Sequence, residues 1–356
     1  MKKIILMMVI MLLITFFAQI RVFAAAPNEN TWQYLASNPV GKATYHWRLQ
    51  SSGSSDTYEI WHKAFAEDLS KKTGGRIVCT AYKTGALFAP TKIIHAVQSG
   101  AIEIGADASV YHSGLIPIGN FVGGIPFAFD SLEQYHEFWW DWRDKLIPAL
   151  INREAYNPKN VQFLGTISTD YCMFGNFNIA SANGLKGKKL AFWGSWADMV
   201  MQFGATSVSI PGPERYEALQ RGTIDGGMFP AFAFVQYKAI EVSKFFYSPP
   251  FGYINTGVYM NYSIWKNLSP ALQDAVYWAS RETAFTWFKY WKVKLHEPAL
   301  KEIAQRVTVV TFPDSEVQKF RKAAKNSWEK YAGKSEDCKK VYNLLLEYGK
   351  EKGYLE

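Results

Sequence analysis

The run Val97-Gln98-Ser99-Gly100-Ala101-Ile102-Glu103-Ile104-Gly105 is echoed by Leu219-Gln220-Arg221-Gly222-Thr223-Ile224-Asp225-Gly226-Gly227. Each copy reads as a helix end, a glycine stop and the entry into a strand. A repeat of this kind restricts the chain to an architecture with two similar halves. Around the first copy, alternation over residues 44–50 predicts a strand. Asp56 and Glu59 then make a capping-box start for a helix with Trp61, Ala64, Phe65 and Leu69 on one face, stopped by Gly74-Gly75. Residues 76–82 are β-rich, a second helix runs from Thr91 through Ile94 and Val97, and a strand follows at 101–106. Around the second copy the same series recurs, with strands at 188–192, 207–210 and 223–228 and helices at 195–203 and 213–221. Each β-α-β-α-β series implies a parallel sheet with helices on its faces. A ligand then belongs in the crevice between the lobes, beyond the carboxyl ends of the strands.

From Pro270 to about Leu300 a helical stretch carries Trp278, Phe285, Trp287 and Trp291 with no proline inside it until Pro298, long enough to span both lobes. Two further helices are expected after Ser315, the last one charged and at the surface.

The chain opens Met1-Lys2-Lys3 and runs from 4 to 20 almost without a polar residue. It then reaches Val22-Phe23-Ala24 ahead of Ala25 and Ala26. This is the layout of a cleavable secretory signal, so an exported mature chain starting near Ala25 is expected. No lipobox cysteine follows, and nothing downstream is apolar for long enough to cross a bilayer. Loss of Lys2, Lys3 and Arg21 takes three charges from the formal excess of +8. What remains forms no basic run, which excludes an electrostatic nucleic-acid surface. The mature chain of about 330 residues exceeds one ordinary core and implies two domains. Aromatic residues make up 16% of the chain, a surplus that can line a ligand cleft as well as a core.

The residues offer little chemistry. There is no GxSxG, HExxH, GxGxxG or Walker loop, since Gly187-Lys188-Lys189 lacks both the upstream glycine and the hydroxyl residue. His46, His62, His95, His112, His136 and His296 are scattered over elements of different kinds and read as structural or surface histidines. Cys79, Cys172 and Cys338 form no CxxC pair and no metal-ligand spacing, so no metal, no cofactor and no required disulfide are expected.

The ordered set of motifs is more specific. Phe65-Ala66-Glu67 precedes Lys72-Thr73-Gly74-Gly75-Arg76, Gly85-Ala86-Leu87 and Ala96-Val97-Gln98-Ser99-Gly100. Pro126-Phe127-Ala128-Phe129, Leu185-Lys186-Gly187-Lys188-Lys189-Leu190, Gly204-Ala205-Thr206, Tyr216-Glu217-Ala218-Leu219-Gln220-Arg221-Gly222 and Asp225-Gly226 follow. From Tyr45 to near Tyr342 the chain resembles the extracytoplasmic solute receptors of TRAP transporters, the DctP type. The resemblance implies an α/β, two-lobed periplasmic-binding-protein (Venus-flytrap) fold with a long helix spanning both lobes. It also implies a non-enzymatic periplasmic protein that closes on a small organic solute and delivers it to the small and large membrane subunits of a secondary transporter; a monomer is expected, although the sequence does not settle monomer against dimer. On this reading residues 1–24 are the signal peptide, 25–168 with 255–296 form lobe I, and 169–254 with 297–356 form lobe II. Two rivals of other classes are a ligand-presenting receptor for a membrane sensor kinase and a secreted hydrolase with an aromatic subsite.

The signature contact of that family is an arginine in the first strand of the second lobe, paired with the ligand carboxylate. Carried over, the position is Ala191. The family's asparagine falls on Phe229, and a second basic position falls near Tyr171. The metal-using subgroup's carboxylate falls on Met228. The aligned cleft positions are Gln50, Ser51, Phe88, Asp107, Tyr111, Tyr171, Phe174, Ala191, Phe192, Trp193, Phe229 and Phe232. They suggest a neutral or aromatic solute oriented by Gln50 and the tyrosines, or a cation held by ring faces with Asp107 as counter-charge. A carboxylate remains an alternative, held by a basic residue that the sequence does not place; Arg48 and Lys83 are candidates, both expected to face solvent.

Overall fold

The computed structural model describes residues 28–52, 56–210 and 212–355. The expected signal peptide lies outside them, as do the side chains of the capping box at Asp56 and Glu59.

In the first lobe β1 (Tyr45–Ser51) lies between β2 (Ile77–Tyr82) and β3 (Ile104–Ala108), with both pairings parallel. The connections are α1 (Asp56–Lys72) and α2 (Ile93–Ser99). Gly100 ends α2 in the left-handed region at φ 79°, as the echo predicts. In the second lobe β5 (Lys189–Ala191) lies between β6 (Thr206–Ser207) and β7 (Gly226–Phe229), again parallel. Here the connections are α3 (Gly194–Met201) and α4 (Arg215–Gln220). Each repeat therefore builds three parallel strands.

The expectation of purely parallel sheets is corrected by two strands that the alternation does not show. β4 (Val161–Gly175) and β9 (Gly252–Asn261) pair antiparallel with each other, and β9 also pairs antiparallel with β3. β4 leaves β9 after Tyr171 and pairs with β7 from Cys172 to Gly175, so one strand belongs to both halves of a ten-stranded curled sheet. β8 (Phe245–Ser248) extends the second half beside β4 and carries β10 (Thr308–Thr311). A bulge interrupts β4 between Phe163 and Gly165. There Gly165 takes φ +132°, and the ring of Trp140 fills the place of its missing side chain.

A long helix joins the lobes. It begins as α5 (Pro270–Tyr290), capped by Ser269 Oγ accepting from Leu272 N, and packs on α1 and β4. It passes through a wider-wound turn, Trp291–His296, and continues as α6 (Glu297–Arg306) against β10 and the helix Ala231–Gln236. The wide turn explains how the helix outruns the expected end near Leu300. Pro298 can give no N–H to the preceding turn, and the bonding register shifts before it. Of the last two helices, α7 (Asp314–Ala332) covers α3, and α8 (Glu336–Glu351) packs on α7 and on the helix Trp142–Ile151. α8 keeps Cys338, Val341, Leu345 and Tyr348 buried beneath its charged face. The three cysteines are all free thiols.

Candidate functional site

The carboxyl ends of β1, β3, β5 and β7 converge where the two halves of the sheet meet, and the expected site residues divide there into two groups. Those from the first lobe are largely spent on the fold. The Gln50 amide is buried and bonded to one loop: Oε1 accepts from Leu87 N at 2.7 Å and Phe88 N at 3.0 Å, while Nε2 donates to Phe88 O at 2.6 Å. Gln50 thus fixes the loop that carries half-buried Phe88, instead of orienting a solute as expected. Ser51 is buried beside it. Asp107 points inward, its carboxylate 3.1 and 3.3 Å from His112 Nδ1, with both side chains fully buried. The counter-charge expected of Asp107 in the cleft is corrected by this pairing. Tyr111, four residues further on in the short helical turn Ser109–His112, is 52% exposed.

The second lobe contributes both core and wall. Ala191, Phe174, Phe192, Phe229 and Phe232 are buried. Phe174 stacks on Phe229 at 5.3 Å and meets Phe234 at 5.0 Å, and Phe192 sets its ring edge-on to Phe251. Ala191 pairs with Gly227 across β5 and β7, directly under the Phe174 ring. By contrast Tyr171 and Trp193 are half-buried and perpendicular, with centroids 5.5 Å apart, forming a corner just beyond the carboxyl end of β5. Phe229 carries Tyr237 against it at 5.3 Å.

Inside this corner lies a residue that the sequence reading passed over. Arg215, the first residue of α4, is only 5% exposed, with its Cζ 4.8 Å from the ring centroids of both Trp193 and Phe229. Nε donates to Ile210 O at 2.9 Å and an Nη donates to Met228 O at 2.6 Å, so two backbone carbonyls fix the guanidinium in place. The Tyr171 hydroxyl hydrogen-bonds to it, and the hydroxyls of Tyr111 and Tyr237 lie close enough to act on it electrostatically. No carboxylate among the described residues forms an ion pair with it. Burial pushes its pKa below the ordinary guanidinium value, while the tyrosines act in the opposite sense. A buried cation whose protein partners are neutral oxygens and ring faces is a site prepared for an anion.

The sequence did hold a signal for it. Extending the internal echo backwards sets Arg215 opposite Ile93, which is fully buried in the first lobe's core. A charge at a position whose counterpart is core needs a reason. Arg48, one of the candidate replacements, is committed elsewhere, with Nη 2.9 Å and Nε 3.2 Å from the Glu103 carboxylate. Lys83 is exposed.

Comparison with known proteins agrees with this architecture. A monocarboxylate 2-oxoacid-binding periplasmic protein of a Nostoc species is 26% identical over 325 residues, covering 89% of this chain and 87% of that protein. The open, ligand-free crystal structure of a TRAP periplasmic solute-binding protein from Rhodobacter sphaeroides superposes with a TM-score of 0.73 at 25% identity. It covers 87% of this chain and 99% of the other. A Rhodoferax ferrireducens TRAP solute-binding protein with bound malonate gives a TM-score of 0.75 at 20% identity, with coverages of 87% and 100%. All three are periplasmic binding proteins. The model of the bacterial extracellular solute-binding proteins, family 7, matches residues 50–334, and the chain belongs to that family.

Proposed function

We propose that this protein is the periplasmic receptor of a TRAP-type secondary transporter, that it captures a small organic acid between its lobes, and that Arg215 is the anchor for the acid group. The observation that carries the proposal is the guanidinium itself: buried, held over two rings, and without a carboxylate partner among the described residues. With Ala191 in place of the family's arginine, the cation enters the cleft from α4 instead of from β5. The role survives while its position in the chain moves. Ligand binding then favours the closed form, because only there do the corner of Tyr171, Trp193 and Arg215 and the first lobe's Tyr111 both touch the solute. The closed form is the one passed to the small and large membrane subunits.

Cationic and neutral solutes lose support on the same geometry. Asp107 is committed to His112, and a buried guanidinium repels a cation and goes unpaired beside a neutral ligand. Calorimetric titration with small organic acids tests the anchor. Arg215→Gln is expected to weaken binding by about 2–5 kcal/mol, the usual cost of breaking a desolvated charge pair, which is a roughly thirtyfold loss or more. Arg215→Lys is expected to retain part of the affinity. Unchanged affinity in a folded Arg215→Gln protein would refute the anchor.

A further inference from the structure

We infer that the cleft is built for a singly charged aromatic acid, an aryl carboxylate with one anionic group on a flat apolar body, and that it discriminates against dicarboxylates and sugar acids. This rests on Arg215 being the anchor.

The count of charges is the first argument. The groups that act most strongly on Arg215 are tyrosine hydroxyls. Arg48 is spent on Glu103, and His112 faces Asp107 away from the cleft. No second cation is among the groups that act most strongly on Arg215, so a second carboxylate held within the corner would lose its hydration without a cationic partner there.

The count of hydrogen-bonding groups is the second. Recognition of a polyhydroxylated acid needs a fan of amides and carboxylates free to read hydroxyls. The Gln50 amide is held by three hydrogen bonds to the Leu87–Phe88 loop, and Asp107 is closed off by His112. What faces the cleft from the corner is ring surface with phenolic hydroxyls at its edges.

The third is shape. Rings lie over the guanidinium on the Trp193 and Phe229 sides, so an acid group approaches along the donor-bearing edge, in the plane of the fork. The body attached to it then passes the Tyr171–Trp193 pair, whose 89° angle offers one ring for stacking and the other for an edge contact. A flat ring satisfies both contacts at once, and a short aliphatic chain satisfies neither.

Isothermal titration of the wild-type protein with benzoate, 4-hydroxybenzoate, benzamide, succinate, malonate and glucuronate tests the inference without relying on any variant. An aryl carboxylate is expected to bind at least tenfold tighter than succinate, malonate and glucuronate, with benzamide weaker than benzoate by a similar factor. Binding by succinate, malonate or glucuronate as tight as by the best aryl acid overturns it, and so does the absence of binding by both aryl acids. The anchor and the ligand class fail separately. If a dicarboxylate or glucuronate binds tightest and Arg215→Gln abolishes that binding, the anchor stands and the aromatic class falls. If benzoate binds the wild type and Arg215→Gln alike, the anchor falls with everything built on it. Trp193→Leu, in protein that still melts cooperatively, is expected to weaken benzoate tenfold or more, and benzoate binding as tight as in the wild type overturns the stacking role of this ring.

Discussion

Ala191 shows why the family's usual arginine cannot simply be put back. Its methyl group lies against Gly227, and the ring of Phe174 closes the space above both, itself pinned by Phe229 and Phe234. An arginine here would have to displace a packed ring and bury a second cation near Arg215. Ala191→Arg is therefore expected to lower stability by several kcal/mol, roughly 3 or more from overpacking and an unpaired buried charge together. It is also expected not to create succinate binding. A melt of the variant with and without succinate checks both statements. Much of this environment was legible in the sequence as an aromatic excess concentrated on aligned cleft positions. What the sequence could not rank was which aromatic residues fill the core: Phe174, Phe192, Phe229 and Phe232 are all buried, whereas Tyr171 and Trp193 are only half-buried, and no pattern of rings along the chain separates the two groups. Nor could it show that Gln50 and Asp107 find partners at Phe88 and His112, because such pairings are made by loops whose path no periodicity records.

At the scale of elements, the docking of the helix Leu132–His136 on α5 carries a built-in acid sensitivity. His136 is buried with neither ring nitrogen hydrogen-bonded, and it packs against Phe285 and Phe288 at 5.2 and 5.3 Å. Burial pushes its pKa down to about 4, opposed weakly by Glu133 and Asp141, and burial does the same to His62. The folded-state value is depressed, so the unfolded chain binds more protons between the ordinary histidine value near 6.5 and about 4. Stability is full above that window and falls as pH drops through it, by at most roughly 3 kcal/mol for each histidine at about 1.4 kcal/mol per pH unit. The melting temperature is thus expected to fall steadily from pH 7 to pH 4.5, and His136→Phe is expected to flatten that slope. An equal slope in the variant would place the acid sensitivity elsewhere. The helices and parallel strands were legible in the residue pattern, because each has a face of one polarity. β4 and β9 escaped notice for the opposite reason. β4 is buried on nearly every residue yet includes Gln162, Thr166, Ser168, Thr169 and Asp170, so it shows neither alternation nor an apolar run.

For the whole molecule the consequence of that strand pair concerns the order in which the protein can form. β9 occupies the place between β3 and β4, so the sheet begun by residues 45–108 has a vacant position until residues 252–261 are available. The first lobe cannot be finished first, although its chain appears first. A polypeptide ending at residue 251 is expected to lack a cooperative melt, whereas two independently folding lobes would leave the early half intact in the same truncation. A chain threaded lengthwise through a narrow pore would then keep its amino-terminal half loose until most of its length had crossed. The lateness that makes the fold slow to close is the same property that keeps the chain passable.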